Sequence, residues 1–184
     1  SLNILIPNPR NLDELVTAIK PFKFTGFSGI NTLFVGLCQH PGFQKLDFSA
    51  LKFTLSGGTT LTTAASEQWQ ALTSCTISEG YGLSETSPVV CLNEPKKELI
   101  GSVGKPLPMT EVELWDENDQ AVEDGQSGEI VVRGPQVMQG YWQLPEETEK
   151  VITPNGFFRT GDVGVRLPGG EIKIVDRLKD MICV

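Results

Sequence analysis

Apolar and polar positions in the first half of the chain follow a pattern that predicts helices separated by strands. After Asn11, apolar residues recur every three or four positions, as expected for a helix capped by that residue. The same reasoning predicts a helix capped by Asn31 or Thr32, a helix over Thr63–Leu72, and strands at 24–27, 51–55 and from 76 to 82. Strands that alternate with helices usually form a parallel sheet covered by helices. We therefore expect an α/β subdomain over residues 1–95.

The pattern changes after about residue 95. Strands are predicted at Val112–Trp115, Glu129–Arg133, Phe157–Arg159 and Glu171–Val175, with turn residues clustered between them. One helix, opening at Pro145, interrupts the strands. This spacing predicts an antiparallel sheet or a small distorted barrel over residues 96–175. The expected fold class is α/β: a parallel sheet flanked by helices, followed by a β-rich subdomain.

Composition and charge narrow the class of protein. The 184 residues carry 15 Lys and Arg against 23 Asp and Glu, a net charge of −8, which argues against a nucleic-acid partner. No apolar run reaches the roughly 18 to 20 residues of a membrane helix. The four cysteines form no C-x-x-C pair and only one histidine is present, so a zinc site of the usual spacing is excluded. We expect free, buried thiols and a cytoplasmic location.

The two ends of the chain suggest a piece of a longer protein. The first residue is Ser1 rather than Met, and the last four residues, Met181–Val184, form an apolar run that nothing after them can bury. We therefore expect flanking segments in the intact protein.

Three common enzyme motifs are incomplete or absent in the chain: the dinucleotide-binding fingerprint, the hydrolase serine motif and the phosphate-binding P-loop. The sequence from Gly80 to Glu85 begins like a dinucleotide fingerprint but has Glu85 where the last glycine belongs. Ser84 resembles a hydrolase nucleophile, yet the only histidine, His40, precedes it, whereas the catalytic histidine of that fold follows the serine. The chain also lacks the G-x-x-x-x-G-K-[ST] phosphate loop.

What remains is a set of glycine-rich turns, each expected at the end of a strand. Ligands bind at strand ends of open α/β sheets, and Tyr81 has a ring suited to a planar group such as adenine. Glu85, beside the hydroxyls of Ser84 and Thr86, has the chemistry to hold Mg²⁺ on phosphate oxygens. The alternative is that these are ordinary turn glycines, with Tyr81 in the core and Glu85 in solvent.

Two charged segments in the second half are further candidates. Asp162, predicted in a tight turn after a strand, has the chemistry to accept hydrogen bonds from two vicinal hydroxyls, or else to bond its own backbone. The segment Asp176–Asp180 is predicted as a charged turn, for which solvated surface is the simpler interpretation.

Taken in order, four segments resemble the adenylate-forming acyl-CoA synthetase superfamily, and most closely the bacterial long-chain fatty acid–CoA ligases. They are Glu79–Pro88, which contains the family pattern Y-G-x-[T/S]-E, followed by Gly128–Trp142, Gly156–Asp162 and Asp176–Ile182. One such motif is weak, but four in the correct order and spacing are specific. The resemblance covers essentially the whole chain.

The resemblance implies an enzyme that uses ATP to activate a fatty acid as acyl-AMP and then transfers the acyl group to coenzyme A, with Mg²⁺. The catalytic residues are then Ser84, at the α-phosphate, and Glu85, which binds Mg²⁺. The remaining implied roles are residues that frame adenine (Gly57, Gly58, Thr59 and Tyr81, the last by stacking), further nucleotide-binding glycines (Gly80, Gly82), ribose-binding residues (Asp162, Arg177), the hinge to a C-terminal domain (Asp176, within 176–184) and the acyl tunnel (Gly29, Asn31, Phe34).

The chain departs from the family pattern in two ways. Ser56 and Thr60 stand where the adenine loop often has a third glycine and a proline. More importantly, the phosphate loop and the catalytic lysine of the family lie outside these residues, so this piece alone is expected to be inactive. Two alternatives stay open: an acyl-AMP ligase that loads a carrier protein, and a non-catalytic nucleotide-binding module. A homodimer and peripheral contact of the intact protein with the inner membrane also stay open.

Overall fold

The computed structural model describes residues 2–178, which form two compact units. The first unit runs to residue 79 and takes in 95–100, and the second takes in 80–94 and the chain from 101 onward. The apolar run Met181–Val184 and most of the predicted hinge segment lie outside the described residues. The subdomain boundary at residue 95 stays a prediction. Within residues 2–178, no helix has the length and apolar character needed to cross a membrane.

The first unit alternates helix and strand. Its elements are α1 (Leu12–Ile19), β1 (Gly26–Gly29), α2 (Asn31–Gln39), a 3₁₀ turn (Phe43–Lys45), β2 (Phe53–Ser56), α3 (Thr63–Thr73) and the first half of β3 (Ile77–Gly82). Strands β1, β2 and β3 pair in that order and in parallel. The predicted parallel α/β arrangement is therefore confirmed.

Local sequence predicted the N-terminal cap of α1 correctly but not that of α2. The side chain of Asn11 accepts a hydrogen bond from Glu14 N at 3.2 Å, as predicted for α1. At α2 the prediction was wrong, because Ile30 is the N-cap residue and makes no side-chain cap. The carboxamide oxygen of Asn31 instead accepts from the backbone N and the hydroxyl of Thr62, at 2.9 and 3.0 Å. Asn31 thus ties the start of α2 to the N-cap of α3.

Aromatic side chains fill the core of the first unit. Phe34, Phe43 and Trp69 are fully buried, and the rings of Phe34 and Trp69 meet edge-on with centroids 4.9 Å apart. The indole nitrogen of Trp69 donates to the hydroxyl of Thr54 on β2 at 3.1 Å. This hydrogen bond satisfies the only polar atom of the buried tryptophan side chain and links α3 to the sheet.

The second unit is mainly antiparallel. Its elements are the end of β3, a 3₁₀ turn (Ser84–Thr86), β4 (Val89–Leu92), β5 (Lys105–Pro106), β6 (Glu111–Trp115), β7 (Ser127–Arg133), α4 (Pro145–Val151), β8 (Phe158–Arg166) and β9 (Ile172–Arg177). Strands β6, β7, β8 and β9 form one antiparallel sheet in chain order. The antiparallel β-rich prediction and the helix at Pro145 are confirmed, while β4 and β5 were missed.

One predicted turn, and the start of another, are strand instead. Asp162 lies inside β8 and pairs in register with Arg177 of β9, so the tight turn at Asp162 was wrong. Of the predicted charged turn, residues 176 and 177 are strand, residue 178 is a turn, and residues 179–180 lie outside the described residues. The cause is a bulge: Gly161 has a φ of +72°, and its N–H donates to the Glu129 carboxylate of β7 at 3.2 Å. A glycine that reads locally as a turn is held within the strand by a residue 32 positions earlier.

The cysteines carry no disulfide within the described chain. Cys75 and Cys91 are buried free thiols, as predicted, and Cys38 is a half-buried one. Cys183 lies outside the described residues.

Candidate nucleotide-binding site

Three of the predicted nucleotide residues meet in the second unit. The hydroxyl of Tyr81, on β3, donates to one carboxylate oxygen of Asp162 at 2.7 Å. Arg177 Nε lies 3.2 Å from the other oxygen. An ionised carboxylate has about four lone-pair sites, so each oxygen of Asp162 retains acceptor capacity beyond these contacts. The arrangement is therefore able to accept hydrogen bonds from a pair of vicinal hydroxyls.

Burial keeps the Tyr81 hydroxyl of this cluster protonated. Asp162 is only 9% exposed, and its backbone N–H donates to the hydroxyl of Thr160 at 3.1 Å. Burial raises the pKa of the Tyr81 hydroxyl well above its usual value, and the neighbouring Asp162 carboxylate raises it further. Tyr81 is thus a neutral donor at physiological pH, and its hydroxyl is available to hold the carboxylate.

Tyr81 packs against the apolar core cluster of the second unit, which includes Val90 and Cys91. Sequence reasoning offered a core aromatic and an adenine-stacking aromatic as alternatives. The structure shows the core contact, and the stacking role stays a prediction.

Ser84 and Glu85 lie in the 3₁₀ turn that follows β3, and that turn is rigidly built. The buried hydroxyl of Thr86 accepts from Leu83 N at 3.0 Å and donates to Pro88 O at 2.7 Å. A side chain at Gly82 would place its Cβ 1.7 Å from the same Pro88 oxygen. Glycine is therefore required at this position by the packing of the chain itself.

Glu85 is held from two directions by the segment before α4. Its carboxylate oxygen Oε1 accepts from the Tyr141 hydroxyl at 2.9 Å, and its backbone carbonyl accepts from Met138 N at 2.8 Å. Ser84, beside it, is exposed. The turn therefore presents the carboxylate of Glu85, which is held in place, and the exposed side chain of Ser84.

Glu85 suits a Mg²⁺ ion that takes most of its ligands from the substrate and from water. Residues 2–178 contain no group of three or more His, Cys, Asp or Glu side chains able to hold a metal ion by themselves. Mg²⁺ in phosphate-transfer sites is commonly held by one or two carboxylates together with phosphate oxygens and water. Glu85 fits that arrangement, in which most ligands come from the substrate and solvent.

Gly57, Gly58 and Thr59 lie in the first unit, directly after β2. Gly58 has a φ of +79° with open space where a side chain would be, and Leu61 N, just beyond, donates to the buried carboxylate of Glu79 at 3.1 Å. The hydroxyl of Ser56, which leads into this loop, is buried and has no hydrogen-bond partner among the described residues. The adenine role of the loop stays a prediction.

The predicted acyl-tunnel residues also belong to the first unit. Phe34 is fully buried against Trp69, and Asn31 is engaged with Thr62. A Cβ at Gly29 would lie 3.2 Å from Leu33 and 3.3 Å from Phe34, tighter than most such contacts. These positions therefore support the core and the helix ends, and their acyl-tunnel role stays a prediction.

Sequence reasoning assigned no role to two residues that contact the site. Tyr141 contacts Glu85, 56 positions away, and Glu129 contacts Gly161, next to Asp162. Both belong to the segment Gly128–Trp142 that was noted only as a family motif. The motif was the available signal, but its partners are too distant in sequence to be inferred.

Residues 2–142, more than half of the chain, match a model of the family described as AMP-binding enzyme. The chain belongs to this family. It is 45% identical over 183 residues to a long-chain-fatty-acid–CoA ligase of Escherichia coli O157:H7, a match covering 99% of this chain and 32% of the relative. A ligase of the same name from Bacillus subtilis is 40% identical over 181 residues, covering 97% of this chain and 32% of that protein.

A solved structure agrees with the family assignment. A crystal structure of an anthranilate–CoA ligase in complex with anthranoyl-AMP superimposes with a TM-score of 0.89 at 26% identity, covering 98% of this chain and 35% of that one. This AMP-binding family member therefore has the fold of the corresponding part of an adenylate-forming ligase. It spans about a third of the length of the relatives it matches.

Proposed function

We propose that this AMP-binding family member is a segment of an ATP-dependent long-chain fatty acid–CoA ligase. The full reaction has two steps. A carboxylate oxygen of the fatty acid attacks the α-phosphorus of ATP and pyrophosphate leaves. The thiol of coenzyme A then attacks the acyl carbon, AMP leaves, and a thioester is formed. The names of relatives that are 40–45% identical across this chain support the proposal.

One observation in the structure carries the nucleotide part of the proposal. Tyr81, Asp162 and Arg177, which are far apart in sequence, meet around one nearly buried carboxylate. We assign Asp162 to the ribose hydroxyls of the nucleotide, with Tyr81 and Arg177 holding its carboxylate in place. Direct contact of Arg177 with the ribose hydroxyls and stacking of Tyr81 on adenine rest on the family resemblance. Two acceptor oxygens fixed side by side match two vicinal hydroxyls better than they match one isolated donor.

We assign Glu85 to Mg²⁺ and Ser84 to the α-phosphate. When bound, Mg²⁺ neutralises negative charge on the phosphate oxygens. Glu85 is fixed by Tyr141 and Met138, and Ser84 is an exposed residue of the same turn. The roles of Asp176 as a hinge residue, of Gly80 and Gly82 in nucleotide binding, and of residues 57–59 at the adenine rest on the family resemblance.

The test is ATP–pyrophosphate exchange by the full-length protein that carries this chain. Exchange is expected with long-chain fatty acids and is expected to be weaker with aromatic acids, and product analysis with coenzyme A should show an acyl-CoA. The 184-residue chain alone should give none, since the phosphate loop and catalytic lysine lie outside it. Exchange restricted to aromatic acids, or acyl transfer only to a carrier protein, would contradict the fatty acid–CoA ligase proposal.

The association state and location of the intact protein are separate proposals from the resemblance. We propose a cytoplasmic enzyme with peripheral contact at the inner membrane and a homodimeric state. Sedimentation of the purified protein with and without vesicles checks both, and a monomer that stays in the supernatant would contradict them.

A further inference from the structure

The segment between β7 and α4 holds Glu85 at two points. Met138 N donates to the backbone carbonyl of Glu85, and the Tyr141 hydroxyl donates to its carboxylate at 2.9 Å. Within residues 2–178, Tyr141 is the one side chain that donates a hydrogen bond to this carboxylate. The backbone contact fixes where residue 85 lies, and the side-chain contact fixes how its carboxylate is turned.

Tyr141 is itself held in place by α4. Its backbone N–H donates to the Thr148 hydroxyl at 2.9 Å, and that hydroxyl donates to Leu144 O at 2.9 Å. The chain before Tyr141 runs so close to α4 that a Cβ on Gly140 would lie 2.8 Å from the Thr148 side chain. The glycine therefore permits the close approach on which the Tyr141–Thr148 hydrogen bond depends.

From this geometry we infer that Tyr141 is a positioning residue that orients the Glu85 carboxylate for Mg²⁺, an inference that rests on the proposed function. Tyr141 contacts one oxygen of the carboxylate, Oε1, and leaves Oε2 for the cation. Hydrogen-bond partners behind a metal ligand fix its orientation before the metal arrives and reduce the conformational freedom lost on binding.

The experiment is ATP–pyrophosphate exchange by the full-length protein as a function of Mg²⁺, with Tyr141→Phe, which deletes only the hydroxyl. We expect the Mg²⁺ concentration for half-maximal rate to rise about 10-fold, which is the typical loss of metal affinity when a ligating side chain loses its hydrogen-bond partner. At saturating Mg²⁺, kcat should return to within about twofold of the unmutated protein, because the ligand itself is intact. The matched control is Trp142→Phe: this neighbouring side chain is 86% exposed, and its variant should match the unmutated protein.

A double-mutant cycle separates positioning of Glu85 from a general structural role. In a Glu85→Ala background, Tyr141→Phe should change the Mg²⁺ dependence by less than about twofold, since it has no carboxylate left to orient. The melting temperature of Tyr141→Phe should fall by no more than about 4 °C, the loss of one ordinary hydrogen bond.

The outcomes distinguish the inference from the function on which it rests. A 10-fold rise in the unmutated background, lost in Glu85→Ala, supports it. An unchanged Mg²⁺ dependence in Tyr141→Phe, or a shift that persists in Glu85→Ala, overturns the inference and leaves the ligase proposal intact. Absence of exchange in the unmutated protein refutes the proposed function, and the inference with it.

Discussion

Tyr81 donates a 2.7 Å hydrogen bond to Asp162, a residue 81 positions further along the chain. The bond joins the end of β3 to the middle of β8, and both partners are largely buried. The carboxylate is thereby fixed by the fold before any ligand arrives, with Arg177 on its other oxygen. A pre-oriented acceptor of this kind lowers the entropic cost of binding a diol.

Replacing Asp162 by Ala should weaken ATP binding by about 1–3 kcal/mol, the range for hydrogen bonds to a charged group. This corresponds to roughly a 5- to 150-fold rise in the Kd for ATP, measured by calorimetry on the full-length protein. Asp124→Ala is a suitable control because that aspartate lies on the surface beside Arg166. An unaltered Kd in Asp162→Ala would remove this residue from the ribose site.

Removing only the phenolic oxygen, with Tyr81→Phe, should lower the free energy of unfolding by about 1–3 kcal/mol. The nearly buried Asp162 carboxylate would lose a donor while the ring of residue 81 still fills the core. Urea unfolding of both proteins gives the difference, and the slope of the transition should not change. Equal stability of the two proteins would mean that water replaces the hydroxyl, and that the Tyr81–Asp162 bond contributes little.

The secondary structure was predictable where the signal is local. Asn11 caps α1 through a contact three residues away, so its sequence position was sufficient to place the helix. Strand β5, by contrast, is only two residues long and is defined by its pairing with β4, which no pattern within Lys105–Pro106 encodes. The cap at Asn31 was wrong for the same reason, because Thr62 competes for its side chain.

For the candidate site too, local motifs indicate individual residues, whereas the contacts between distant residues are visible only in the structure. Tyr81, Glu85 and Asp162 are identifiable from the sequence because each lies in a distinctive short motif, but no local pattern indicates that Tyr81 contacts Asp162. The turn predicted at Asp162 was wrong, because the N–H of the preceding residue, Gly161, finds its acceptor on another strand. Tyr141 likewise has a role that is visible only when its distant partner is placed beside it.

Glu85→Gln should reduce kcat for adenylate formation at least about 10-fold and alter its dependence on Mg²⁺. The amide keeps an oxygen that accepts from Tyr141, so the turn should remain folded while the negative charge is lost. The measurement is kcat at a series of Mg²⁺ concentrations in the full-length protein, with melting temperature as the check on folding. An unchanged rate would exclude Glu85 from the mechanism.

Ser56→Ala should leave the free energy of unfolding unchanged or raise it by up to about 1 kcal/mol. The Ser56 hydroxyl is buried without a hydrogen-bond partner in the described chain, so its removal relieves a desolvation cost. Thr54→Val, on the same strand, is the matched control, because its hydroxyl accepts from Trp69 and its loss should cost about 1–3 kcal/mol. Destabilisation by Ser56→Ala of more than about 1 kcal/mol would show that this hydroxyl has a partner, such as buried water.

Glu129 offers a test of the bulge that places Asp162 in β8. One oxygen of its carboxylate accepts the N–H of Gly161 at 3.2 Å, and the other accepts from Arg159 at 2.6 Å. Glu129→Ala should lower the free energy of unfolding by about 1–3 kcal/mol, because a backbone donor inside the sheet loses its acceptor. It should also raise the Kd for ATP, because Asp162 directly follows the residue that is released.

Glu111→Ala is the matched control for Glu129→Ala. Glu111 also pairs with an arginine of this sheet, Arg133, but its side chain is 57% exposed whereas that of Glu129 is 10% exposed. An exposed ion pair contributes only about 0–1 kcal/mol, so this variant should be nearly neutral in stability and should bind ATP normally. If the two variants lose equal stability and both keep full ATP affinity, Glu129 acts only as an arginine partner, and the position of Asp162 does not depend on it.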